Sequence, residues 1–592
     1  MGRSHSTVFV TMFFNINHRQ AALGAILLLA NVALAARDGL CPPLGPVLPA
    51  PITPSAHGSV QVAIKTITGR FQNLTSTFNT TGISVAVKSI HETSPMLELH
   101  HTPPVRDNTS TKVVDSETIY RIGSVSKIFA VLSVLTQGHM KLDDPIVKYV
   151  PELLALKSEA EPAANDITAV NWDDVTVGSL TSHMSGIGAD LIYDLASFPV
   201  DFTQIGLPHL TNTSKTGCAG LFGLPVCTRA EFFRDFGKRH PVYAPWTNPV
   251  YSNVASSILG FAVEAATNMS YDAYVQKAIF GPLGMTNTTI FNAPKERAWG
   301  LIPEGDIWFG SSLGYEDVAG GFYSNTKDML SFGVGILQHR ILDPLTTRKW
   351  MKPIASTSSP GLMLGGPWEI LRSDTVTKDG RLIEYYTKSG NLGSYNNLIC
   401  LIPDYDLVIT ILSGGGESSA DVVDFTLTDV VTALLPAVED ASKTQAQTDF
   451  GGVYSDASTN SSLTLSLDDG PGFEVQEWIV HGVDILKNYG AFDALSGGAA
   501  TSVPVRVRLY PTDLTSGCEA AWRAVFDVGT PEQLAESDRA RFWPKGSCHT
   551  WAAMDRLVYG FKAIDEFVFT VEKGKAKGLS LPAFGVALQR EV

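Results

Sequence analysis

A serine and a lysine three residues apart, Ser124 and Lys127, begin the apolar run RIGSVSKIFAVLSVL. Residues i and i+3 of an α-helix share one face about a turn apart, so the hydroxyl and the amine can meet there. Burial and positive neighbours lower a lysine pKa, and a neutral amine can take the proton of a serine that attacks an acyl carbon. The Ser124 N–H, at a helix N-terminus, points where an oxyanion would develop. The spacing therefore predicts acyl transfer, with Gly123 leaving room for a substrate.

The Ser-x-x-Lys pair is not specific by itself, because such a pair arises by chance in a chain of this length. Two other groups carry similar chemistry: Tyr251-Ser252-Asn253 precedes the helical run NVASSILGFAVEAAT, and Lys388-Ser389-Gly390 precedes a strand-like run. Each residue also has a structural interpretation. Lys127 is compatible with a lysine extending from a helix end, Tyr251 with a capping aromatic, Asn253 with an N-cap and Lys388 with an edge-strand lysine.

The order Ser-x-x-Lys, Tyr-x-Asn, Lys-Ser/Thr-Gly resembles the signature of the serine β-lactamase and penicillin-binding-protein superfamily. With tyrosine starting the second element, the chain is most similar to the class C β-lactamase-like branch, which includes esterases, D-amino peptidases and transesterases. The segments DDVTVGSLTSHMSGI, IFGPLGMTNT and VAGGFYSNTKDMLSF also resemble family segments. The resemblance spans about residues 57–441, and the tail resembles the β-rich C-terminal domain of secreted fungal members.

The resemblance implies a role for each matched side chain. Ser124 is expected to be the nucleophile, and Lys127 the partner that keeps it activated. Tyr251 is expected to transfer protons during attack and leaving-group departure. Asn253 would hydrogen-bond the acyl side chain and Lys127, and Lys388 would favour a tyrosinate or a substrate carboxylate.

The resemblance also implies an oxyanion hole made of the backbone N–H groups of Ser124 and Asn391. Ser389 and Gly390, just before the second donor, are expected to contact substrate. His183 is interpreted as a structural hydrogen-bonding residue, because a Ser-Lys-Tyr arrangement needs no histidine. The Gly320-Gly321 pair is interpreted as allowing close backbone packing.

The implied reaction passes through a covalent acyl-serine formed from a small-molecule ester, lactam or amide, with no cofactor and no metal. An esterase-type β-lactamase-like serine hydrolase is the favoured interpretation. An acyltransferase or transesterase of a biosynthetic pathway, and a catalytically silent secreted binding protein of the same fold, remain as alternatives. Segment 189–236 is expected to cross the cleft and to suit a hydrophobic acyl group.

The sequence pattern predicts that these residues are positioned by the helices and strands of an α+β domain. ISVAVKSI and LVITILSGG are typical of strands, and residues 128–137 and 253–267 of helices. The resemblance implies a β-lactamase/transpeptidase-like antiparallel sheet flanked by helices. Beyond the polar stretch 439–447, short alternating runs such as VPVRVRLYP and EFVFTVEKG predict a smaller all-β barrel or sandwich. We expect a catalytic domain over 57–441 and a C-terminal domain over 448–592.

The termini and composition indicate a secreted protein. Residues 1–36 have the pattern of a signal peptide, 37–56 read as a proline-rich arm, and no stable membrane anchor is expected. With a net charge of -15 and no dense Lys/Arg run, the 592-residue chain is not expected to bind nucleic acid. The pattern does not predict an oligomeric state.

Sequons and cysteines agree with an extracellular location. Glycosylation is predicted at Asn73, Asn79, Asn108, Asn212, Asn268, Asn287 and Asn460. Six cysteines are present: Cys218 is predicted to pair with Cys227 and Cys518 with Cys548, leaving Cys41 and Cys400 paired with each other or free.

Overall fold

The computed structural model describes residues 40–159, 165–191, 194–198, 200–210, 216–218, 220, 224–291, 293–495 and 505–591. The predicted signal peptide, the first three residues of the predicted arm and the sequon at Asn212 lie outside these ranges. So do residues 192–193, 199, 211–215, 219 and 221–223 of the segment expected to cross the cleft.

An eight-stranded antiparallel sheet, in the order β2-β1-β10-β9-β8-β7-β6-β5, forms the centre of the first domain. A separate pair is formed by β3 and β4, and β3 leads into the turn that holds Ser124. The strands of this domain are β1 Gly82–Ser89, β2 Leu97–His101, β3 Tyr120–Arg121, β4 Tyr323–Ser324, β5 Ala355–Ser356, β6 Leu362–Leu364, β7 Glu369–Ser373, β8 Ile383–Leu392, β9 Tyr395–Ile402 and β10 Leu407–Gly414.

Helices cover both faces of this sheet, so the side chains of its central strands are mostly buried. The helices of the chain are α1 Gly58–Thr75, α2 Ser126–Thr136, α3 Glu152–Glu159, α4 Val177–Thr181, α5 Arg229–Phe236, α6 Asn253–Thr267, α7 Tyr271–Val275, α8 Gly281–Leu283, α9 Asp317–Gly320, α10 Thr326–Leu337, α11 Pro344–Trp350, α12 Ala420–Asp449, α13 Ile485–Leu495, α14 Pro531–Arg539 and α15 Thr550–Ala553. Short 3₁₀ turns add Pro54–Ala56, Gly123–Val125, Ile146–Lys148, Trp172–Asp174, Leu195–Ser197, Phe202–Ile205, Arg297–Trp299, Gly314–Glu316, Pro403–Tyr405 and Pro582–Phe584, and a π-helical turn spans Gln276–Phe280.

Alternate side chains of β10 enter two different hydrophobic cores, one on each face of the sheet. Ile409 and Ile411 pack with α1 and α12, whereas Val408 and Leu412 pack with the core that contains Phe129 of α2. Successive side chains of a strand point to opposite faces, so one apolar strand serves both cores. The predicted α+β fold with a helix-flanked antiparallel sheet is confirmed.

The C-terminal domain is a closed antiparallel β-barrel. Its strands run β12-β11-β21-β20-β19-β16-β15-β13, and pairing of β12 with β13 closes the circle. The strands are β11 Gly452–Asp456, β12 Ser461–Ser466, β13 Phe473–Val480, β14 Val483–Asp484, β15 Val505–Ser516, β16 Glu519–Val528, β17 Val558–Tyr559, β18 Lys562–Ala563, β19 Glu566–Glu572, β20 Lys575–Leu581 and β21 Val586–Arg590. Closure pairs every barrel edge, which distinguishes a barrel from the sandwich alternative.

Helix α12 runs through the polar stretch at which the sequence places the domain boundary. Residues 439–447 lie within its 30-residue span, and Ala446 packs in the barrel core together with Phe450 just beyond the helix. The polar residues of the stretch belong to a helix whose opposite face is buried. The two domains are therefore joined by a rigid element.

The proline-rich arm packs on the barrel. From residue 40 the chain has no helix or strand until Pro54–Ala56, in agreement with the predicted arm. Leu48 is buried in the barrel core, and Val47 contacts Tyr510 and Val525. A disulfide joins Cys41 to the barrel domain at Cys548, with their Cα atoms 5.3 Å apart.

One predicted disulfide is therefore wrong. Cys548 pairs with Cys41, whereas Cys518 lies exposed with a free thiol in the turn between β15 and β16. Cys400 is also free and buried in the centre of β9. The structure joins Cys218 to Cys227 as predicted, because only nine positions separate them.

Five of the sequon asparagines, Asn73, Asn79, Asn108, Asn268 and Asn460, are exposed. Asn287 is half-buried, and its amide donates to Glu117 Oε2 at 2.7 Å. Across the described ranges no helix has the length and apolar character needed to cross a bilayer.

Candidate active site

The turn Gly123–Val125, which holds Ser124, lies between two sheets. Ser124 is half-buried in the 3₁₀ turn Gly123–Val125, which leads into α2 and follows β3. Gly123 has a φ of 55°, and a Cβ at this position would lie 2.7 Å from the backbone nitrogen of Asn391. The glycine is therefore required by the approach of β8, which replaces the expectation that it leaves room for a substrate.

Lys127 is 1% exposed and meets three oxygen atoms. Its Nζ lies 2.9 Å from Ser124 Oγ, 2.6 Å from Asn253 Oδ1 and 2.9 Å from the carbonyl oxygen of Ala319. A neutral amine has two N–H bonds, which satisfy the amide and carbonyl oxygens that can only accept. Its lone pair is then left for the serine hydroxyl. This geometry suits a lysine that removes the serine proton.

Burial lowers the pKa of Lys127, and the positive charge of Lys388 acts in the same direction. A phenolate at Tyr251 opposes these two effects but does not outweigh them. The neutral form needed for proton abstraction is thus favoured relative to a lysine in water.

The ring of Tyr251 lies against both lysines. Its centroid is 4.7 Å from Lys127 Nζ and 5.3 Å from Lys388 Nζ. Burial opposes ionisation of the phenol, but the two positive charges outweigh it, so the pKa of Tyr251 lies below its ordinary value. The side chain is 43% exposed and can reach a substrate. These properties suit a residue that transfers protons.

His183 packs against the ring of Tyr251. Its ring stacks on Tyr251 with centroids 4.7 Å apart, and its Nδ1 accepts a hydrogen bond from the backbone N–H of Ser252 at 3.2 Å. Burial, with the charges of Lys127 and Lys388, lowers the pKa of His183 to about 3. A histidine that stays neutral and stacked in this way has the contacts of a structural residue.

Asn253 is the first residue of α6, and its neighbour is the N-cap. Ser252 Oγ accepts from the backbone N–H of Ala255 at 3.1 Å, which excludes the N-cap interpretation of Asn253. The Asn253 amide is instead shared between Lys127 and Asp190, whose Oδ2 accepts from Nδ2 at 2.6 Å.

Half-buried Asp190 and buried Glu316 form an acid pair that the sequence did not indicate. Burial, then the adjacent Asp190 carboxyl, raises the pKa of Glu316 well above its usual value. Glu316 Oε1 accepts from the N–H of Leu191 at 3.2 Å. Asp190 lies in the segment expected to cross the cleft, and Glu316 lies four residues before Gly320. Neither belongs to a recognisable local pattern.

Lys388 is a buried cation in the interior of the sheet. Strand β8 lies between β7 and β9, and Lys388 is 1% exposed, so the edge-strand interpretation is wrong. Its Nζ donates to Glu369 Oε1 at 2.5 Å and to the carbonyl oxygen of Ser389 at 2.8 Å. Burial opposes the charge, but Glu369 and a phenolate at Tyr251 together outweigh it, and the pKa of Lys388 is raised.

Strand β8 also brings the second predicted oxyanion donor, Asn391, close to Ser124. A Cβ at Gly390 would lie 2.1 Å from the carbonyl oxygen of Ile122 and 2.8 Å from the nitrogen of Ser124. Only glycine permits this contact. The backbone of Asn391 therefore lies beside that of Ser124, as the oxyanion-hole prediction requires.

A pocket of about 340 Å³ opens at Ser124. Leu313 and Leu392, on its wall, pack against Leu224 from the loop between Cys218 and Cys227. The residues that line the pocket are Ser124, Tyr251, Asn253, Leu313, Glu316, Ala319, Gly320, Glu369, Ser389, Asn391 and Leu392.

Two further sequence interpretations concern packing and metal binding. A Cβ at Gly321 would lie 2.0 Å from Asp317 Oδ1, so close packing accounts for this glycine. In the part of the chain that the structure describes, no three His, Cys, Asp or Glu side chains are grouped to hold a metal ion.

Known proteins resemble this chain over nearly its whole length. A family model described as Beta-lactamase matches residues 78–433, and one described as Beta-lactamase-like-like, C-terminal domain, matches residues 442–592. A Beta-lactamase-like protein of Arthroderma benhamiae is 30% identical over 95% of this chain and 97% of its own. Probable hydrolase M10 of a Phoma species is 23% identical, covering 92% and 90%. A solved class C beta-lactamase covers 64% of this chain and 97% of its own, with 17% identity and a TM-score of 0.46.

Proposed function

The chain belongs to the beta-lactamase family of serine hydrolases, and we propose that it is a secreted esterase-type member acting through an acyl-enzyme on Ser124. The observation that carries this proposal is the contact of Ser124 with a buried lysine beside a tyrosine of lowered pKa. These are the groups that acyl transfer needs, within hydrogen-bonding reach of one another.

The proposed reaction begins when Ser124 Oγ attacks the acyl carbon and its proton passes to neutral Lys127. The backbone N–H groups of Ser124 and Asn391 stabilise the oxyanion. Tyr251 donates its proton to the departing alkoxide while the carbon–oxygen bond breaks, and Lys127 returns a proton to Tyr251. Water then attacks the acyl-serine and loses its proton to Lys127. As the bond between the acyl carbon and Ser124 Oγ breaks, Lys127 returns that proton to Oγ, and the acid product leaves.

A hydrophobic acyl group fits the pocket wall best. Leu313 and Leu392 face the pocket, and the loop between Cys218 and Cys227 packs behind them through Leu224. Apolar walls favour apolar acyl chains by removing their surface from water. Two disulfides and five exposed sequons support the secreted location.

The test is intact-mass spectrometry after incubation with a fluorophosphonate or an activated ester. We expect one adduct on the wild type and none on Ser124→Ala. The matched control is Ser133→Ala, a buried serine of helix α2, which follows the Ser124 turn. Its hydroxyl donates to the Phe129 carbonyl at 2.7 Å, and this variant should label normally. No adduct on folded wild-type protein would refute the proposal.

Substrate classes are separated by turnover of short and long p-nitrophenyl esters and a chromogenic cephalosporin. We expect hydrolysis of the esters to exceed that of the cephalosporin, with a preference for longer acyl chains. Release of p-nitrophenol that requires an added alcohol or amine would contradict a hydrolase and favour an acyltransferase.

A further inference from the structure

The cationic end of the pocket is already occupied by a carboxylate of this chain. Lys388 Nζ donates to Glu369 Oε1 at 2.5 Å. The backbone N–H and the hydroxyl of Ser389 both donate to Glu369 Oε2 at 2.8 Å. One side chain therefore uses three of the donors that an anionic substrate group would need.

Glu369 is held in this place by the sheet. It is the first residue of β7 and lies opposite Thr387, the residue before Lys388. Thr387 Oγ1 donates to the Glu369 carbonyl oxygen at 2.6 Å, so the backbone is fixed beside β8. The Glu369 side chain keeps 24% exposure and lines the same pocket as Ser124. An incoming ligand at this end meets the carboxylate directly.

The Glu369 carboxylate is ionised, because the attraction of Lys388 outweighs the effect of burial and lowers its pKa. This end of the pocket also corresponds to the leaving group. Lys388 lies beside Tyr251, which is placed to protonate the departing oxygen in the proposed reaction. A carboxylate on the leaving group would therefore enter next to a like charge, with its cation and hydroxyl already engaged.

We propose that Glu369 is a specificity residue that excludes substrates with a carboxylate on the leaving group and restricts the enzyme to uncharged esters. This inference rests on the proposed function and names the substrate class for the same site. It separates this chain from an enzyme that recognises the free carboxylate of a peptide or of a bicyclic lactam.

The experiment compares two esters of one acyl group, a phenyl ester and its 3-carboxyphenyl counterpart, at neutral pH. For the wild type we expect kcat/KM for the uncharged ester to exceed that for the carboxylated ester by about tenfold or more. Glu369→Gln keeps the shape and hydrogen-bonding oxygen but removes the charge, and it should reduce this ratio by about tenfold. The ratio cancels any general loss of catalysis.

Asp424→Asn is the matched control. Asp424 is an exposed acid lining the groove next to Glu369, and removing its charge should leave the ratio unchanged. A wild-type ratio near one would overturn the inference, and this measurement does not depend on the variants folding. An equal change of both rates in Glu369→Gln would also overturn it, since Glu369 would then only position Lys388.

Failure of the proposed function gives a different result. In that case neither ester is cleaved and Ser124 takes up no probe, and the inference is overturned with it. Cleavage of both esters at equal rates would leave the proposed function standing and reject the role of Glu369 alone.

Discussion

Replacement of Asp190 by alanine tests whether this half-buried carboxylate positions the proposed catalytic lysine. Asp190 Oδ2 accepts from Asn253 Nδ2 at 2.6 Å, and Asn253 Oδ1 accepts from Lys127 at 2.6 Å. Once the Asp190 carboxylate is removed, no side chain at this position accepts from Asn253 Nδ2 and holds the Asn253 oxygen towards Lys127. A hydrogen bond to a charged group contributes about 1.5–3 kcal/mol. If the whole of this acts in the transition state, kcat/KM falls about ten- to a hundredfold, at about 1.36 kcal/mol per factor of ten.

The assay is p-nitrophenyl ester hydrolysis by Asp190→Ala and Asp190→Asn, with thermal unfolding of each variant. We expect kcat to carry the loss in the alanine variant, because Asp190 orients Lys127 and is not placed to bind substrate. The asparagine variant retains an oxygen that accepts from Asn253 and should stay within about threefold of the wild type. Full activity of Asp190→Ala, or equal losses in both folded variants, would refute this positioning role.

Three further predictions concern charge, stability and thiols. Lys388→Met removes a cation that lowers the pKa values of Lys127 and Tyr251, so the acidic limb of the plot of kcat/KM against pH should move to higher pH. The control Lys327→Met removes an exposed lysine and should leave the limb unmoved. An unmoved limb in Lys388→Met would contradict the electrostatic account. Arg381→Ala removes the arginine that pairs with the buried carboxylates of Asp379 and Glu439, and urea unfolding should show a loss of about 3–5 kcal/mol. A loss below about 1 kcal/mol would count against this account. Alkylation of denatured, unreduced protein should label Cys400 and Cys518 alone, and labelling of other cysteines would refute the disulfide assignment.

The sequence predicted the site wherever the chemistry depends on local spacing. Ser124 and Lys127 meet because they lie one turn apart, and the structure gives them a contact of 2.9 Å. For Gly390 the sequence predicts only a substrate contact, whereas the structure shows that this glycine allows the close approach of two backbones that are distant in sequence. The mixture of helices and strands and the all-β tail follow from strand and helix periodicity, which is a local signal. The family is implied by a resemblance, that of three short motifs in a fixed order.

The rest of the site depends on contacts between distant positions. Glu369 pairs with Lys388 because β7 and β8 are neighbours, and Asp190 reaches Asn253 from a loop 63 residues earlier. The Cys41–Cys548 bond spans 507 residues, whereas the wrong pairing was chosen by proximity in sequence. No local pattern predicts such pairs, because they are fixed by tertiary packing.

The two lysines of the site differ through their partners. Lys127 and Lys388 are each 1% exposed, so burial alone would lower both pKa values. Lys127 meets a hydroxyl, an amide and a carbonyl, which do not offset the loss of water, and its pKa is lowered. Lys388 meets the Glu369 carboxylate, and its pKa is raised.

This divergence assigns the two lysines different roles. A lysine of lowered pKa suits a base, whereas one of raised pKa remains a fixed charge. That fixed charge lowers the pKa of Tyr251 and of Lys127. Glu369 thus has two effects in the proposed mechanism. It keeps Lys388 positively charged beside Lys127 and Tyr251, and it occupies Lys388 so that this lysine does not bind a substrate carboxylate.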